Sequence, residues 1–432
     1  MSRWSRRRVL AGAAGFATVA CGRPRTAAGP RAPSAPVVTA PPDASEPDAF
    51  AALHGRCDGI AAPDALEWSG HRDAVCERMA AAGADAVAVE PGAAAVYLAG
   101  LSWGRSERPL LLILRADRSA FVLCPAFEQR SVAERCAELP LVPWREHEDP
   151  FAVALRHAPW LARAQLAIEP SMRAFVVAGI RRACPQAQLR DDDVIGPVRL
   201  HKQPAELARL RRANEATQAA IAAVAERVRV GVQESQVAAW MHAALVAAGL
   251  TDPWALALVG PNASFPHGSG ATRSVAAGDV VLVDTGASLH GYRSDITRTW
   301  VVGEPSDALA RAYAAASAAQ RAALATIRPG VTAASVDAAA RAVMLEAGYG
   351  GDDRYFTHRL GHGIGLEVHE PPYLVGGNQQ VLAVGMTMSD EPGIYVPGSF
   401  GVRTEDIVLV TADGVDVFGE LAPPQLDVRP TA

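Results

Sequence analysis

Lysine is almost absent from this sequence. Lys and Arg together number 41 against 46 Asp and Glu, which gives a net charge of −5, and Lys202 is the one lysine among them. Because the chain is also rich in alanine, we interpret this near-complete use of arginine as a bias in nucleotide composition. The lack of a basic excess argues against a nucleic-acid partner.

Cysteine is also scarce. The 432 residues include 6 cysteines, and none of them forms a Cys-x-x-Cys pair. This spacing argues against a thiolate metal site. Five cysteines follow Cys21, an odd number whose pairing the sequence does not give. Disulfides and buried free thiols therefore both stay open.

The apolar run near the start is too short to cross a membrane. It extends from Val9 to Ala20 behind a cluster of arginines, whereas a spanning helix needs about 20 apolar residues. This pattern predicts an export signal over residues 1–27, and residues 5–10 resemble a twin-arginine signal. We therefore expect an exported protein, periplasmic, cell-surface or secreted, with no transmembrane helix in the mature chain.

The same segment raises the question of a lipid anchor. Ala20-Cys21-Gly22 would fit a lipoprotein cleavage site, but Thr18 stands where such sites usually carry Leu or Val. A lipid anchor at Cys21 therefore stays open.

The length of the chain suits two domains. Residues 28–65 are predicted as a proline-rich linker. Within residues 66–200 helical stretches alternate with short strands, and apolar runs at 110–114 and 120–123 predict a hairpin, which indicates an α/β domain without a catalytic constellation. A second domain over 201–425 begins with a helix, since Pro204 and Glu206 suit its first turn.

The second domain contains an internal repeat. Residues 229–249 and 328–348 each begin with Arg-x-Gly-Val, continue with a helical pattern and end at a glycine, 99 residues apart. A repeat of this kind indicates two similar halves. We predict that each half is a pair of helices followed by strands.

Carboxylates stand at the ends of strands in both halves. Asp284 and Asp295 flank a turn in the first half, and Glu391 and Glu405 do so in the second. Four carboxylates in one pocket repel one another, so they require protons or cations. Two divalent ions would compensate the charge, and His362 would add a nitrogen ligand to a set that suits Mn, Fe, Co or Zn. Two metal ions at such a site activate a water molecule and polarise a carbonyl group.

Around these residues the sequence resembles the pita-bread metallopeptidases, in particular the prolidase and aminopeptidase P branch. The resemblance covers about Leu66 to Gly419 and is most specific at residues 361–366, 391–395 and 402–406. It implies an α/β creatinase-N-like amino-terminal domain and an α+β pita-bread (creatinase/aminopeptidase-like) catalytic domain with an internal pseudo-twofold repeat. Residues 199–207 resemble the junction between these domains.

The resemblance also implies a role for each metal-ligating residue. Asp284 would hold one metal ion, His362 and Glu391 would hold the other, and Asp295 and Glu405 would bridge the two. Manganese is the expected metal, with cobalt, zinc or iron as alternatives. The attacking group would be a hydroxide that bridges the two ions.

Four further residues match positions on the substrate side of the family's site. His267 would line the substrate, His369 would stabilise the tetrahedral intermediate and, with Glu391, move protons, and His358 would lie near the substrate. Arg403, two residues before Glu405 and expected on the same strand, would orient the site and the substrate. A salt bridge to a nearby acid is the alternative for Arg403.

The activity implied is hydrolysis of the Xaa-Pro bond, at the amino terminus of peptides or in dipeptides, by a dinuclear metallopeptidase. Its partners would be proline-containing peptides, and the family is usually homo-oligomeric. Two alternatives stay open: a non-peptide hydrolase or lyase on the same scaffold, and a non-catalytic peptide-binding protein, which the intact ligand set opposes. The extra domain before the catalytic one disfavours a methionine aminopeptidase.

Overall fold

A computed structural model describes residues 49–136, 139–350 and 354–432. The predicted export signal (1–27), Cys21 and the linker up to residue 48 lie outside the described residues. In the described part no helix is long and apolar enough to span a bilayer. The five cysteines there are buried, and none forms a disulfide.

The linker prediction is wrong for residues 49–65. Residues 49–64 contain a short 3-10 helix (Ala51–Leu53), and Phe50, Leu53 and Cys57 are buried against helices of the second domain. The proline-rich composition that predicted a linker ends at Pro47. The apolar side chains beyond it gain a core to pack in, which favours order.

The amino-terminal domain alternates helices and strands as predicted. Its elements in chain order are α1 (Ala65–Ala82), β1 (Ala86–Val89), α2 (Ala93–Ala99), β2 (Leu111–Arg115), β3 (Ala120–Pro125), α3 (Gln129–Ala133), β4 (Leu141–Trp144), α4 (Pro150–His157), β5 (Gln165–Ile168), α5 (Ala174–Ala183), β6 (Gln188–Arg190) and α6 (Gly196–Arg199).

These strands form one six-stranded sheet in the order β4-β3-β2-β1-β5-β6. The predicted hairpin is present as the antiparallel pair β2 and β3. Alternate residues of β1 enter two different cores: Val87 and Val89 one, Ala86 and Ala88 the other. Helices therefore cover both faces of the sheet, which explains why its strands are apolar without alternation.

The second domain contains the remaining helices and strands. In chain order they are α7 (Pro204–Ala225), α8 (Glu234–Ala247), β7 (Thr251–Val259), β8 (Asp279–Leu289), β9 (Tyr292–Arg293), β10 (Ile296–Val302), α9 (Asp307–Thr326), α10 (Ala333–Glu346), β11 (Gly361–Gly363), β12 (Glu370–Leu374), β13 (Thr387–Asp390), β14 (Gly393–Val396), β15 (Phe400–Arg403), β16 (Asp406–Val410), β17 (Val415–Val417) and β18 (Asp427–Arg429).

Helix α7 begins as the sequence predicted. Pro204 occupies the first turn, and Gln203 and Glu206 form a reciprocal capping box. Its buried face includes Leu210, Ile221 and Val224. This helix directly follows the junction between the domains, so its first residue is the start of the regular structure of the second domain.

The internal repeat is confirmed by matching backbone contacts. Gly231 N donates to Val275 O, and 99 residues later Gly330 N donates to Leu382 O. Each of these glycines lies just before the second helix of its half, α8 or α10. The helices α8 and α10 that follow end at glycines with positive φ, 90° at Gly249 and 84° at Gly348. Only glycine adopts this conformation without strain, which explains why both repeats end with it.

Two sheets of the second domain meet at the repeat axis. One has the order β18-β10-β8-β7 with β9 attached to β8, the other β12-β11-β13-β16-β17, and β14 and β15 form a separate ribbon. Along β8, Val281 and Val283 pack with α7 and α8, whereas Val280 and Leu282 pack with α9 and α10. The helices of both halves thus enclose the strands that carry the predicted acids. The expectation that Asp284 ends its strand is wrong, because β8 continues to Leu289.

Candidate metal centre

The first half provides two carboxylates on one face of an antiparallel ribbon. Strands β8 and β10 pair with Asp284 opposite Thr297. Asp295 precedes Thr297 by two residues, so its side chain points to the same face of the ribbon. This local geometry brings Asp284 and Asp295 together without any contribution from the second half.

The second half repeats this arrangement. Strands β13 and β16 pair with Asp390 opposite Asp406. One step further in the same register, Glu391 lies opposite Glu405. His362 lies on the adjacent strand β11, which pairs with β13. Each predicted ligand of this half therefore stands on one of three neighbouring strands or directly at its end.

The side chains of the two halves converge. Nε2 of His362 lies 3.2 Å from Oε1 of Glu391 and 3.5 Å from Oδ2 of Asp295. Three sets of ligand atoms each lie within 4.8 Å of one another, and together they include every predicted ligand and His369: Asp284, Asp295 and Glu405; His362, Glu391 and Glu405; Asp295, His362 and His369. The structure therefore brings the predicted ligands close together, as the sequence predicted.

All nine predicted site residues line one cavity of about 430 Å³, which Trp254, Leu256, Pro266, Arg359 and Val368 complete. The volume lies in the range of small-molecule sites. The acids and the imidazole occupy one part of the wall. Apolar side chains complete the rest, a combination that suits a substrate with both a polar bond and an apolar ring.

The buried carboxylates in the cavity repel one another. Burial first, and then the neighbouring carboxylates, raise the pKa of Asp295 and of Glu405 well above the ordinary values. Burial would also raise the pKa of Glu391, but the hydrogen bond and charge of His362 lower it to about 2. Carboxylates that resist ionisation in this way are stabilised as anions only if cations join them.

The residues fit a metal ion by a second criterion. Oδ1 of Asp284 is buried and, within the described residues, accepts no hydrogen bond. A buried carboxylate oxygen without a partner is costly, and coordination to a cation would satisfy it. Carboxylates with one imidazole are ligands that divalent transition metals accept.

Comparison with known proteins identifies the family. The profile of "Metallopeptidase family M24" matches residues 208–412, and that of "Creatinase/Prolidase N-terminal domain" matches residues 72–201. "Probable dipeptidase PepE" of Mycobacterium tuberculosis is 39% identical over 365 residues, which cover 82% of this chain and 95% of that protein. The chain belongs to metallopeptidase family M24.

Two further M24 relatives agree. An Xaa-Pro dipeptidase of Lactobacillus delbrueckii subsp. lactis is 34% identical over 330 residues, covering 74% of this chain and 89% of that protein. The crystal structure of dipeptidase PepE from Mycobacterium ulcerans superimposes with a TM-score of 0.79 at 38% identity, covering 86% of this chain and 100% of that chain. The predicted fold, a creatinase-type domain followed by a pita-bread domain, is confirmed, and the chain is a metallopeptidase.

Membership of M24 implies divalent metal ions, and the cluster around His362 is where the described residues can hold them. Hydrogen bonds from neighbouring hydroxyl side chains orient the candidate ligands. Ser389 accepts from the backbone N of His362 and donates to Glu391, and Thr297 donates to Oε2 of Glu405 at 2.7 Å. Such contacts fix the direction of ligand oxygens and nitrogens.

Arg403 is fully committed within the M24 site. It donates to Oδ2 of Asp284 at 2.5 Å, to the hydroxyl of Tyr395 at 2.6 Å and to Thr297 at 3.0 Å. The expected shared strand with Glu405 is wrong, because Arg403 ends β15 and Glu405 precedes β16 in another sheet. Arg403 nevertheless faces the cavity, and the salt bridge named as its alternative is present.

His358 is held by the same network. Its Nε2 lies 2.8 Å from the hydroxyl of Tyr395, which thereby joins it to Arg403. Burial is the main cause that lowers the pKa of His358. No role was predicted for Tyr395 from the sequence, although this residue belongs to the segment 391–395 that carried the family resemblance. A tyrosine four residues after a ligand was the available signal.

A buried carboxylate anchors the loop that carries His267. Glu234 accepts hydrogen bonds from Val259 N at 2.7 Å, from Arg273 N at 3.0 Å and from the side chain of Asn262. These groups bracket the loop 260–273, with His267 between them. Sequence reasoning missed Glu234, because its partners are 25 or more residues away.

Arg359 is a third residue that the sequence prediction missed. It lines the cavity next to His358, and its guanidinium stacks over the ring of Tyr373 at 4.4 Å. In the described ranges Arg359 takes part in no ion pair with an acidic side chain. It is therefore the cavity's available cation, whereas Arg403 is occupied.

Proposed function

We propose that this M24 metallopeptidase hydrolyses the Xaa-Pro bond of dipeptides. The observation that carries the proposal is the convergence of Asp284, Asp295, His362, Glu391 and Glu405 on a cavity of about 430 Å³ that also contains an available arginine. Relatives named Xaa-Pro dipeptidase support it. When bound, two divalent ions would supply an ionised water and polarise the scissile carbonyl.

His369 is suited to assist the developing oxyanion. Burial first, and then the adjacent His362, lower the pKa of His369 to about 4. The ring is therefore neutral at neutral pH, so one nitrogen carries a proton that it can donate and the other can accept. With Glu391 in the same cavity as an acceptor, the site contains groups for both directions of proton movement.

The proposed specificity for proline has a physical basis. Its nitrogen carries no hydrogen, so a site that required a backbone N–H donor from that residue would reject it. The apolar wall formed by Trp254, Leu256 and Val368 offers a surface for the pyrrolidine ring.

Arg359 supports a dipeptide over a longer peptide. Among peptides that begin with Xaa-Pro, only the dipeptide has a free carboxylate on its proline, and guanidinium groups bind carboxylates through charge-assisted hydrogen bonds. Arg359 lines the cavity without an acidic partner among the described residues, so this interaction costs no existing ion pair.

Three substrates test the proposal: Ala-Pro, its amide Ala-Pro-NH2, and the tripeptide Ala-Pro-Ala. We expect cleavage of Ala-Pro and loss of kcat/KM by about 10- to 100-fold for the amide, since a hydrogen bond to a charged group contributes about 1.5–3 kcal/mol. Arg359→Gln should abolish the difference between acid and amide. Equal cleavage of all three, or cleavage of Ala-Pro-Ala alone, would contradict the dipeptidase assignment.

We further propose manganese as the working metal, because four of the five candidate ligands are carboxylates and oxygen-rich sets suit it. Metal-stripped protein is titrated separately with Mn²⁺, Co²⁺, Zn²⁺ and Fe²⁺. The highest kcat/KM for Ala-Pro is expected with Mn²⁺, and a higher value with another ion would replace the assignment.

Export through the amino-terminal segment is the last proposal. It is supported by Arg6 and Arg7 before the apolar run. Replacing both with lysine should retain the protein inside the cell, as fractionation would reveal, and unchanged export would contradict a twin-arginine route. The mass of the mature amino terminus decides whether Cys21 carries lipid. Homo-oligomerisation, an expectation from the resemblance, is decided by light scattering.

A further inference from the structure

The single lysine of the chain is buried where the two domains join. Lys202 is 6% exposed, and its Nζ donates a hydrogen bond of 2.7 Å to Oε1 of Glu370. Arg199 donates to Oε2 of the same carboxylate at 2.6 Å and to Glu367 at 2.9 Å. One buried carboxylate is thus held between two cations from the segment that connects the domains.

A lysine at this position is informative because the other basic side chains are all arginine. A composition bias that favours arginine should replace lysine wherever the two are interchangeable, and they differ most where space is limited. The carboxylate that Lys202 holds is closely packed, since a Cβ on Gly365 would lie 2.6 Å from Oε1 of Glu370. The backbone N of Lys202 donates to Gly385 O, which fixes the point from which the lysine side chain extends. We infer that the compact ammonium is required here.

The carboxylate that Lys202 holds belongs to the residue directly after His369. The ring of His369 packs edge-on against His362, with 4.1 Å between ring centroids. Across the described ranges no hydrogen bond reaches this ring. The segment 364–369 has no regular structure, and β12 begins at Glu370. The first fixed side chain after His369 is therefore Glu370.

His369 also separates two cavities. One is the metal-centre cavity, and the other, of about 260 Å³, lies between the domains and is lined by Arg199, Glu367 and Glu370. His369 thus shares the lining of the second cavity with three residues of the ion cluster. A shift of the cluster would therefore move the ring relative to the metal ligands.

We propose that Lys202, together with Arg199, is a positioning residue that fixes His369 by holding Glu370, and so couples the domain junction to the reaction. This inference rests on the proposed function, in which His369 faces the substrate. Displacement of a group that touches reacting atoms by about 1 Å can lower the rate about 100-fold. A small movement of the junction is therefore enough to change turnover.

Lys202→Met tests the proposal, because it removes the charge but keeps an unbranched side chain. We expect kcat for Ala-Pro to fall by about 10- to 100-fold. KM and the metal content should stay near the wild-type values, since the metal ligands and the apolar wall are unchanged. A kcat equal to that of the wild type, or a fall that the loss of metal accounts for, would overturn the proposal.

Arg209→Met is the matched control. Arg209 is another buried cation between the domains, 3% exposed at its side chain, and it pairs with Glu67 through two hydrogen bonds of 2.6 and 2.8 Å. Neither residue lines the metal-centre cavity. Each variant removes a buried cation from its carboxylate partner and should therefore lose stability, but only Lys202→Met should lose kcat. An equal loss in the two variants would show a merely structural role.

Amide hydrogen exchange provides a readout that does not depend on activity. Exchange in residues 364–370 should accelerate in Lys202→Met and stay unchanged in Arg209→Met. Unchanged exchange in both overturns the positioning role, whether or not the wild type cleaves Ala-Pro. If the wild type does not cleave Ala-Pro, the proposed function fails separately, and the exchange result still decides the positioning of the loop.

Lys202→Arg provides a second route if Lys202→Met does not fold. This variant keeps the charge, so the carboxylate of Glu370 stays paired. The larger guanidinium should displace the carboxylate, and kcat should fall although the ion pair persists. Wild-type kcat in this variant would overturn the requirement for an ammonium group.

Discussion

The imidazole of His362 and the carboxylate of Glu391 face each other, with 3.2 Å between Nε2 and Oε1. His362 comes from β11 and Glu391 from the end of β13, two paired strands of the second half. Asp295 of the first half lies 3.5 Å from the same nitrogen. A single imidazole therefore connects the acids of both halves, which makes it the most informative ligand to remove.

His362→Ala should lower both metal content and turnover. Removing groups that merely orient metal ligands costs about 10- to 100-fold, so loss of a ligand itself should cost at least about 100-fold in kcat/KM. The wild type should bind about two divalent ions per chain. Elemental analysis of purified protein and Ala-Pro hydrolysis measure the two effects, with the exposed His242 replaced by alanine as a control. Unchanged turnover in His362→Ala would count against the metal centre.

Chelation should destabilise the protein more as pH rises. Burial first, and neighbouring carboxylates second, raise the pKa of Asp295 and Glu405. Above about pH 4 the unfolded carboxylates release their protons, while the folded, metal-free chain still binds them. Stability of the metal-free chain must therefore fall with increasing pH. Divalent ions displace these protons, so the stabilisation that metal binding provides should grow as the pH rises.

Melting temperatures with saturating metal and with chelator, measured from about pH 5 to about pH 8, test this prediction. We expect the difference between the two curves to widen with pH. A difference that is constant or narrows would show that Asp295 and Glu405 are not neutralised by the ions.

Glu234→Gln should loosen the loop that carries His267. The carboxylate of Glu234 accepts from Val259 N and Arg273 N, the two ends of this loop. An amide has one acceptor oxygen, so at least one of these contacts is lost, at a cost of about 1–3 kcal/mol. We expect a higher KM for Ala-Pro and faster amide exchange in residues 260–273. Glu226→Gln, at an exposed ion pair with Arg429, is the control and should change neither.

The ligands could be predicted from the sequence because their signal is local. Asp284 follows an apolar run within β8, and Glu391 directly follows β13. The repeat shows that the two strands are equivalent, so the approach of the two carboxylates follows from topology. Burial of Lys202, the pairing of Arg403 with Asp284 and the packing of Phe50 could not be predicted in this way. Each depends on side chains more than 100 residues away, whose approach no local pattern encodes.

Gly361→Ala should disturb the metal centre through the sheet. A Cβ at position 361 would lie 2.0 Å from Ser389 O on the neighbouring strand, so β11 and β13 would have to separate. The lack of a side chain at Gly361 therefore lets the two strands approach each other. Since Ser389 bonds both His362 and Glu391, separation of the strands moves two ligands. Overpacking of this kind costs about 1–3 kcal/mol.

We therefore expect Gly361→Ala to lower the melting temperature and to weaken metal binding in a competition titration, although no ligand is replaced. Gly104→Ala is the control, because a Cβ there meets nothing within 4 Å, and it should change neither quantity. Wild-type metal affinity in Gly361→Ala would mean that the ligand positions do not depend on the spacing of β11 and β13. The two-strand support of the metal centre would then have to be abandoned, even if the ligands themselves stand.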